Sequence, residues 1–314
     1  MTAGFENRYS ALDRVVHRLA MGQLELQRTL SGIEDRLERS RLGGLLKAAG
    51  QPRERAHGDG VAVDYDSVEA FEEVIWRAFW PDHYLADRIR PWAAEDRDED
   101  DGFPDFLRGH ARKLVALARA RRGSAEARRY ASKNNANVAR LDYLRRRFPE
   151  ARLLVLFREP FGHAASLARQ HRNFSETHRR DPFARAYMES IGHFEFGLAL
   201  RPLDFGGWME TGQGLNPADP DFWCEYWIAA YSAVLASLGP GVLLVSYDRL
   251  CAAPEAGLAA IADHLGIGTD SPVRAAAGRF RAPTAHGSDL APADPERRLR
   301  VRALHERLLA VAAP

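Results

Sequence analysis

The chain has 314 residues, and its 44 Lys and Arg against 43 Asp and Glu leave a formal net charge of +1. That balance gives no support for bulk electrostatic attraction to nucleic acid or to an anionic membrane. A hydrophobic content of 46% is ample for one large domain or two, and Cys224 and Cys251, the two cysteines, lack metal-ligand spacing and predict a reducing, cytoplasmic setting.

No apolar run approaches the roughly 20 residues of a membrane span, and Glu6, Arg8, Asp13 and Arg14 interrupt any signal-peptide core. From Ser10 to Arg39 the chain predicts one long helix within an N-terminal helical segment, 1–45. Leu12, Val16, Leu19, Gln23, Leu26, Leu30, Ile33 and Leu37 form a heptad seam with one polar member. The seam suits packing on the chain's own body or an intermolecular coiled coil, which would make a homodimer. Residues 41–60, with several Gly and Arg and with Pro52, predict a linker or surface loop, and Val61 to Tyr65 a short strand.

Asp66-Ser-Val-Glu69 resembles a capping box that opens a helix towards Pro81, with Phe71, Val74, Ile75 and Phe79 inward. The acidic run Glu95 to Asp101 fails the calcium-loop spacing and predicts a solvated loop. Phe106 to Arg121 predicts a basic amphipathic helix, and Tyr130 to Ala136 leads into another from Asn137 to Phe148. Leu153 to Phe157 is an apolar run too short for a buried helix and without alternation, as in a strand of a parallel sheet covered on both faces. Pro160 breaks the backbone, Gly162 to Arg172 is helical, and a polar helical segment continues to about Ser190. Leu200 to Pro220, rich in Gly and Pro, predicts a long ordered loop or lid. Phe222 to Leu238 is an aromatic helix better suited to the core than to an acceptor platform. Val242 to Tyr247 is a second apolar strand, and helices at Pro254–Leu265, near Pro272–Phe280 and at Pro295–Val311 close the chain. The class is α/β with excess helix.

Arg158 and Ser166 stand out because ligands of open parallel sheets bind beyond the carboxyl ends of the strands, where helix N-termini offer N–H groups. A guanidinium fork and a hydroxyl held there suit a phosphate. The plainer alternatives are a surface ion pair for Arg158 and a back-bond to a helix carbonyl for Ser166. His163 and His171 read as helix-surface residues.

Three features together resemble the bacterial sulfotransferases that use 3'-phosphoadenosine 5'-phosphosulfate. Arg158 and Ser166 across a strand–turn–helix look like that family's 3'-phosphate motif. Phe148 to Phe157, preceded by Lys133, is similar to the segment leading into it. Val245-Ser-Tyr-Asp-Arg-Leu250, before Pro254 and Leu265-Gly266, looks like the later strand and closing helix. The match covers roughly Glu54 to Ile267. It implies a three-layer parallel sheet of the nucleotide-kinase-like type over 54–314, and sulfuryl transfer to a hydroxyl of a carbohydrate or small metabolite. It implies 3'-phosphoadenosine 5'-phosphosulfate as donor, with no metal. Read from the residues, Lys133 suits either charge stabilisation on the transferring group or a solvated surface position, His57 suits a general base because an unshifted imidazole titrates near neutrality, and Tyr247 at the second strand's end suits contact with the adenosine. The alternative is a non-catalytic relative that binds nucleotide weakly or serves as a scaffold. The chain departs from the pattern in one respect: no Gly-rich loop between a strand and a helix is found for the 5'-phosphosulfate, so slow transfer is expected.

Overall fold

The computed structural model describes residues 53–54, 62–63, 72–99, 101–122, 128–211, 214–268, 271, 273–280 and 294–313. The long N-terminal helix and His57 lie outside the described residues. The chain divides into two compact units, Met1–Glu69 and Ala70–Pro314. Within the first, β1 (Arg53–Glu54) pairs antiparallel with β2 (Ala62–Val63).

The second unit begins with α1 (Glu72–Phe79) and α2 (Phe103–Arg122). A 3₁₀ segment at Asn135–Arg140 then runs directly into α3 (Leu141–Arg147). The chain continues as β3 (Leu153–Phe157), α4 (Pro160–Arg180) and α5 (Pro182–Ser190). The short α6 (Trp208–Thr211) lies in the Gly- and Pro-rich stretch, before α7 (Pro220–Ala236). Next come β4 (Val242–Ser246), α8 (Tyr247–Ala252), α9 (Pro254–Leu265) and, last, α10 (Pro295–Val311). Between α9 and α10, a 3₁₀ segment at Arg274–Arg279 stands where a helix was expected. The molecule is helix-rich α/β. No helix of the described residues is long and apolar enough to cross a membrane.

β3 and β4 are parallel and in register from Leu153↔Val242 to Phe157↔Ser246. Their alternating side chains go to opposite sides of the sheet. Val155, Phe157 and Leu244 join the main core, while Leu154, Leu243 and Val245 pack with Leu250, Leu258 and Ile261 in a second cluster. Cover on both faces, incomplete at Leu156, which is 48% exposed, is the reason these strands lack polar alternation. Each fully buried Leu, Val or Phe contributes about 1.5–3 kcal/mol to such layers. Among the described residues this parallel sheet has two strands.

α4 runs on past the expected Arg172 to Arg180 and stops before Pro182, as the residue preceding a proline disfavours helix. α7 buries Phe222, Trp223, Trp227 and Tyr231, so its aromatic residues are core, as expected. α10 closes over the same core with Val301, Leu304 and Leu308. α1 departs from expectation on its inner face. Trp76 is buried beside Ile75, but so are the carboxylates Glu72 and Glu73, while Val74 and Phe79 are only half-buried.

Candidate functional site

The register of β3 on β4 brings both carboxyl ends to one edge, where each strand runs directly into a helix. Ser246 caps α8, its Oγ accepting from Arg249 N–H at 3.3 Å. Glu159 caps α4 before Pro160, a proline at the first helical position where its missing N–H costs nothing. The Glu159 carboxylate accepts from Phe161 N–H at 3.0 Å and from Gly162 N–H at 2.6 Å. Its own N–H donates to Asp248 Oδ2 at 2.6 Å, which ties the two strand ends together. The fit is close at Gly162, where a Cβ would meet Glu159 Oε2 at 3.0 Å and the carboxylate would have to give way.

Arg158 emerges at this edge half-buried, and its Nε is buried without a hydrogen-bond partner among the described residues. A guanidinium nitrogen lies 3.8 Å from where a Gly162 Cβ would be, so the side chain folds back over the start of α4. His163 stands next to it. Burial, then the Arg158 charge, push its imidazole down to about 4. It is therefore neutral near pH 7, and its buried Nδ1 has no partner among the described residues. His163 was expected on the helix surface; one turn into α4 it faces the strand end instead.

Tyr247 opens α8 and is 36% exposed. A hydrogen bond with the Cys251 side chain, more than partial burial, raises the phenol's pKa, while the Arg158 charge acts against the rise. From α10, His305 sets its ring edge-on to Phe157, centroids 5.8 Å apart, and near Trp227. Burial lowers its pKa first, with Glu159 and Asp248 opposing. Its Nε2 is also buried without a partner among the described residues. Behind the edge, Tyr231 hydroxyl donates to the Leu156 carbonyl at 2.9 Å.

The edge thus gathers a guanidinium, two carboxylates, two imidazoles with lowered pKa values and a phenol. An incoming anion would find the N–H groups that open α4 already occupied by Glu159. That corrects the expectation that helix N–H groups stand open here. The donors left to it are Arg158, the imidazole N–H groups and Ser166, half-buried in the second turn of α4, while the Tyr247 hydroxyl is engaged with Cys251.

Lys133 belongs to a different neighbourhood. It is exposed, in the loop that precedes the 3₁₀ segment. Both of its neighbours are pinned by adjacent carboxylates of α1: Ser132 Oγ donates to Glu72 at 2.6 Å and Asn134 Nδ2 to Glu73 at 2.7 Å. Tyr130 hydroxyl also donates to Glu72. The contacts described for this loop run to α1, to His110 of α2 and, through Arg129, to the Leu265 and Gly266 carbonyls at the end of α9; those of Arg158 run to α4 and α8, and no described contact joins Lys133 to the Arg158 edge.

Glu159, Asp248 and His305 were not singled out from the sequence. Glu159 carried a local signal, an acidic residue directly before a proline that starts a helix. Asp248 and His305 carried none, because they meet β3 only through the pairing of β4 and the return of α10. No protein-family model, curated protein or solved structure matches the chain.

Proposed function

We propose that the Arg158 edge binds the 3'-phosphate of a 3'-phosphorylated adenine nucleotide. On this reading the chain is a sulfotransferase moving a sulfuryl group from 3'-phosphoadenosine 5'-phosphosulfate to a hydroxyl of a carbohydrate or small metabolite. The wider fold that goes with the proposal is a three-layer sheet of the nucleotide-kinase-like sulfotransferase type, in a cytoplasmic protein. The observation that carries it is Arg158. Its guanidinium stands where a parallel strand ends, half-buried, with an Nε that meets no carboxylate among the described residues. A buried, unmet donor favours an anionic ligand, since leaving it desolvated and unpaired costs about 1–3 kcal/mol or more for a charged group.

In the reaction so proposed, an acceptor hydroxyl gives its proton to a general base, the role proposed for His57, its oxygen attacks sulfur in line, and the bridging S–O bond breaks so that adenosine 3',5'-bisphosphate departs. Transfer of this kind depends on positioning and on charge stabilisation rather than on covalent help from the protein. Arg158 and Ser166 would fix the nucleotide by its 3' end. His163 and His305, their imidazoles pushed towards the neutral form by burial, would each offer the phosphate an N–H donor but no positive charge, which leaves the charge to Arg158. Lys133, on its pinned loop, would meet developing negative charge, and Tyr247, partly exposed, would lie against the adenosine.

The test is thermal. Adenosine 3',5'-bisphosphate is expected to raise the melting temperature while 5'-AMP does little. Arg158→Ala is expected to weaken the bisphosphate's binding by about 10- to 150-fold, the loss of one charge-assisted contact of about 1.5–3 kcal/mol. Equal stabilisation by the two nucleotides would rule the assignment out.

A further inference from the structure

Two histidines on one face of α4 hold a single turn of backbone. His171 and His178 are seven residues apart, two helical turns, and so lie one above the other. Their Nδ1 atoms accept from consecutive amides of the 3₁₀ turn Gly197–Ala199: His171 from Gly197 N–H at 3.3 Å, His178 from Leu198 N–H at 3.2 Å. The fit is close. Gly197 has φ +73°, and a Cβ there would lie 2.7 Å from His178 Nδ1 and 3.1 Å from the Phe174 backbone carbon. Beside this contact Phe174 and Phe196 stack, 5.8 Å apart and 14° from parallel. His178 is only 3% exposed. Accepting at Nδ1 places the imidazole proton on Nε2 in both rings. The Nε2 of His171 faces Ser175 Oγ at 3.4 Å, and that of His178 is buried without a partner among the described residues.

We propose that His171 and His178 form a pH-sensitive clamp, holding Glu195–Leu200 on α4 while both imidazoles are neutral and releasing it once they are protonated. Protonation puts a hydrogen on each Nδ1, so that two donors confront each other where a hydrogen bond had been. The charged surroundings do not rescue the cations. On α4 itself, Arg172 and Arg179 act against a proton on His171, and from α7 the uncharged ring of Trp223 approaches it. From α5, Arg185 opposes and Glu189 favours a proton on His178, and those two side chains pair with each other at 2.8 Å. In the segment being held, the Glu195 carboxylate is engaged by Asn135 and His193. Burial is the largest cause of lowering for both imidazoles.

The sign follows from that lowering. A histidine with a depressed folded-state pKa adds stability that is complete above its unfolded value, about 6.5, and is lost as pH falls through the folded value. The clamp is therefore shut at neutral pH and opens as pH falls below the ordinary imidazole range, through the lowered folded-state values. Hydrogen exchange at the Gly197 and Leu198 amides, corrected for intrinsic rate, reads it directly. As pH is lowered from about 8 through the titration of both rings, protection at these two amides is expected to fall at least about tenfold while the rest of α4 stays protected. In the double variant His171→Asn, His178→Asn, each Oδ1 replaces Nδ1 as acceptor and does not titrate, so the protection should become independent of pH. Flat protection in the wild type, or the same fall in the double variant, would overturn the proposal. Should that variant not fold, imidazole ¹⁵N titration of the wild type decides. Protonation of both rings in step with loss of the two amides supports the clamp, and protonation with the amides intact refutes it.

Discussion

Arg140→Ala is expected to lower the free energy of unfolding by about 3–5 kcal/mol, the range for breaking a buried ion pair by removing one partner. Arg140 is fully buried, and its guanidinium grips Glu73 with two hydrogen bonds of 2.8 and 3.0 Å. It lies between the rings of Trp76 and Trp92, 4.0 and 4.3 Å from their centroids. Without it, a carboxylate that is 7% exposed stays in an aromatic core. Tyr84, donating at 2.5 Å, and Asn134 would offset part of the loss. Arg140→Lys is expected to recover little, because an ammonium has neither the planar fork nor the faces that stack on indole. Urea unfolding measures both variants. A loss below about 1 kcal/mol for the alanine variant, the size expected of an exposed pair, would mean that Glu73 finds water or another cation.

The second large effect concerns chemistry. The 314-residue chain is expected to transfer sulfate at far below the ordinary rate of about 1 s⁻¹ or more. Transfer needs several donors placed in advance around the 5'-phosphosulfate, each worth about 2.7–4 kcal/mol in the barrier. The sequence offers no Gly-rich loop to supply them. Arg158 and Ser166 hold the other end of the nucleotide, and Lys133 could make good only a fraction. A labelled-sulfate assay over a panel of hydroxyl acceptors checks this, comparing the chain with a version carrying a Gly-rich strand–loop–helix unit before Glu54. Ordinary turnover by the unaltered chain would mean that another segment provides those donors.

How much of this was legible in the sequence depended on how local each signal is. The runs Leu153 to Phe157 and Val242 to Val245 were readable as strands because packing into a cluster on either side leaves these short stretches without a polar residue. α7 was readable as core from its aromatic content. The Glu72–Glu73 pair was not, since two carboxylates opening a helix look like a solvated first turn. Their burial is explained by Arg140, Tyr84, Tyr130, Ser132 and Asn134, the nearest of which is 11 residues away. Arg140 sits at the end of a 3₁₀ segment and gave no sign that it would be the largest charged group inside. In the same way the Gly- and Pro-rich stretch is ordered by contacts that sequence spacing does not reveal: Asp204 meets Arg88 at 3.0 Å, and Trp208 Nε1 donates to the Leu203 carbonyl at 2.8 Å. At the candidate site, Arg158 and Ser166 follow from strand–turn–helix logic, whereas Asp248 and His305 arrive only through the tertiary fold.

The central claim is that the edge recognises where a phosphate sits on the nucleotide, not merely that it is charged. Calorimetric titration with adenosine 3',5'-bisphosphate and its 2',5' isomer tests this most directly, because the two carry the same charge and differ in one attachment. The 3' isomer is expected to bind at least about tenfold more tightly, a difference of about 1.4 kcal/mol, and Arg158→Ala should erase the preference. Equal affinity for the two isomers, or a preference that survives Arg158→Ala, would contradict the assignment of the 3'-phosphate to Arg158.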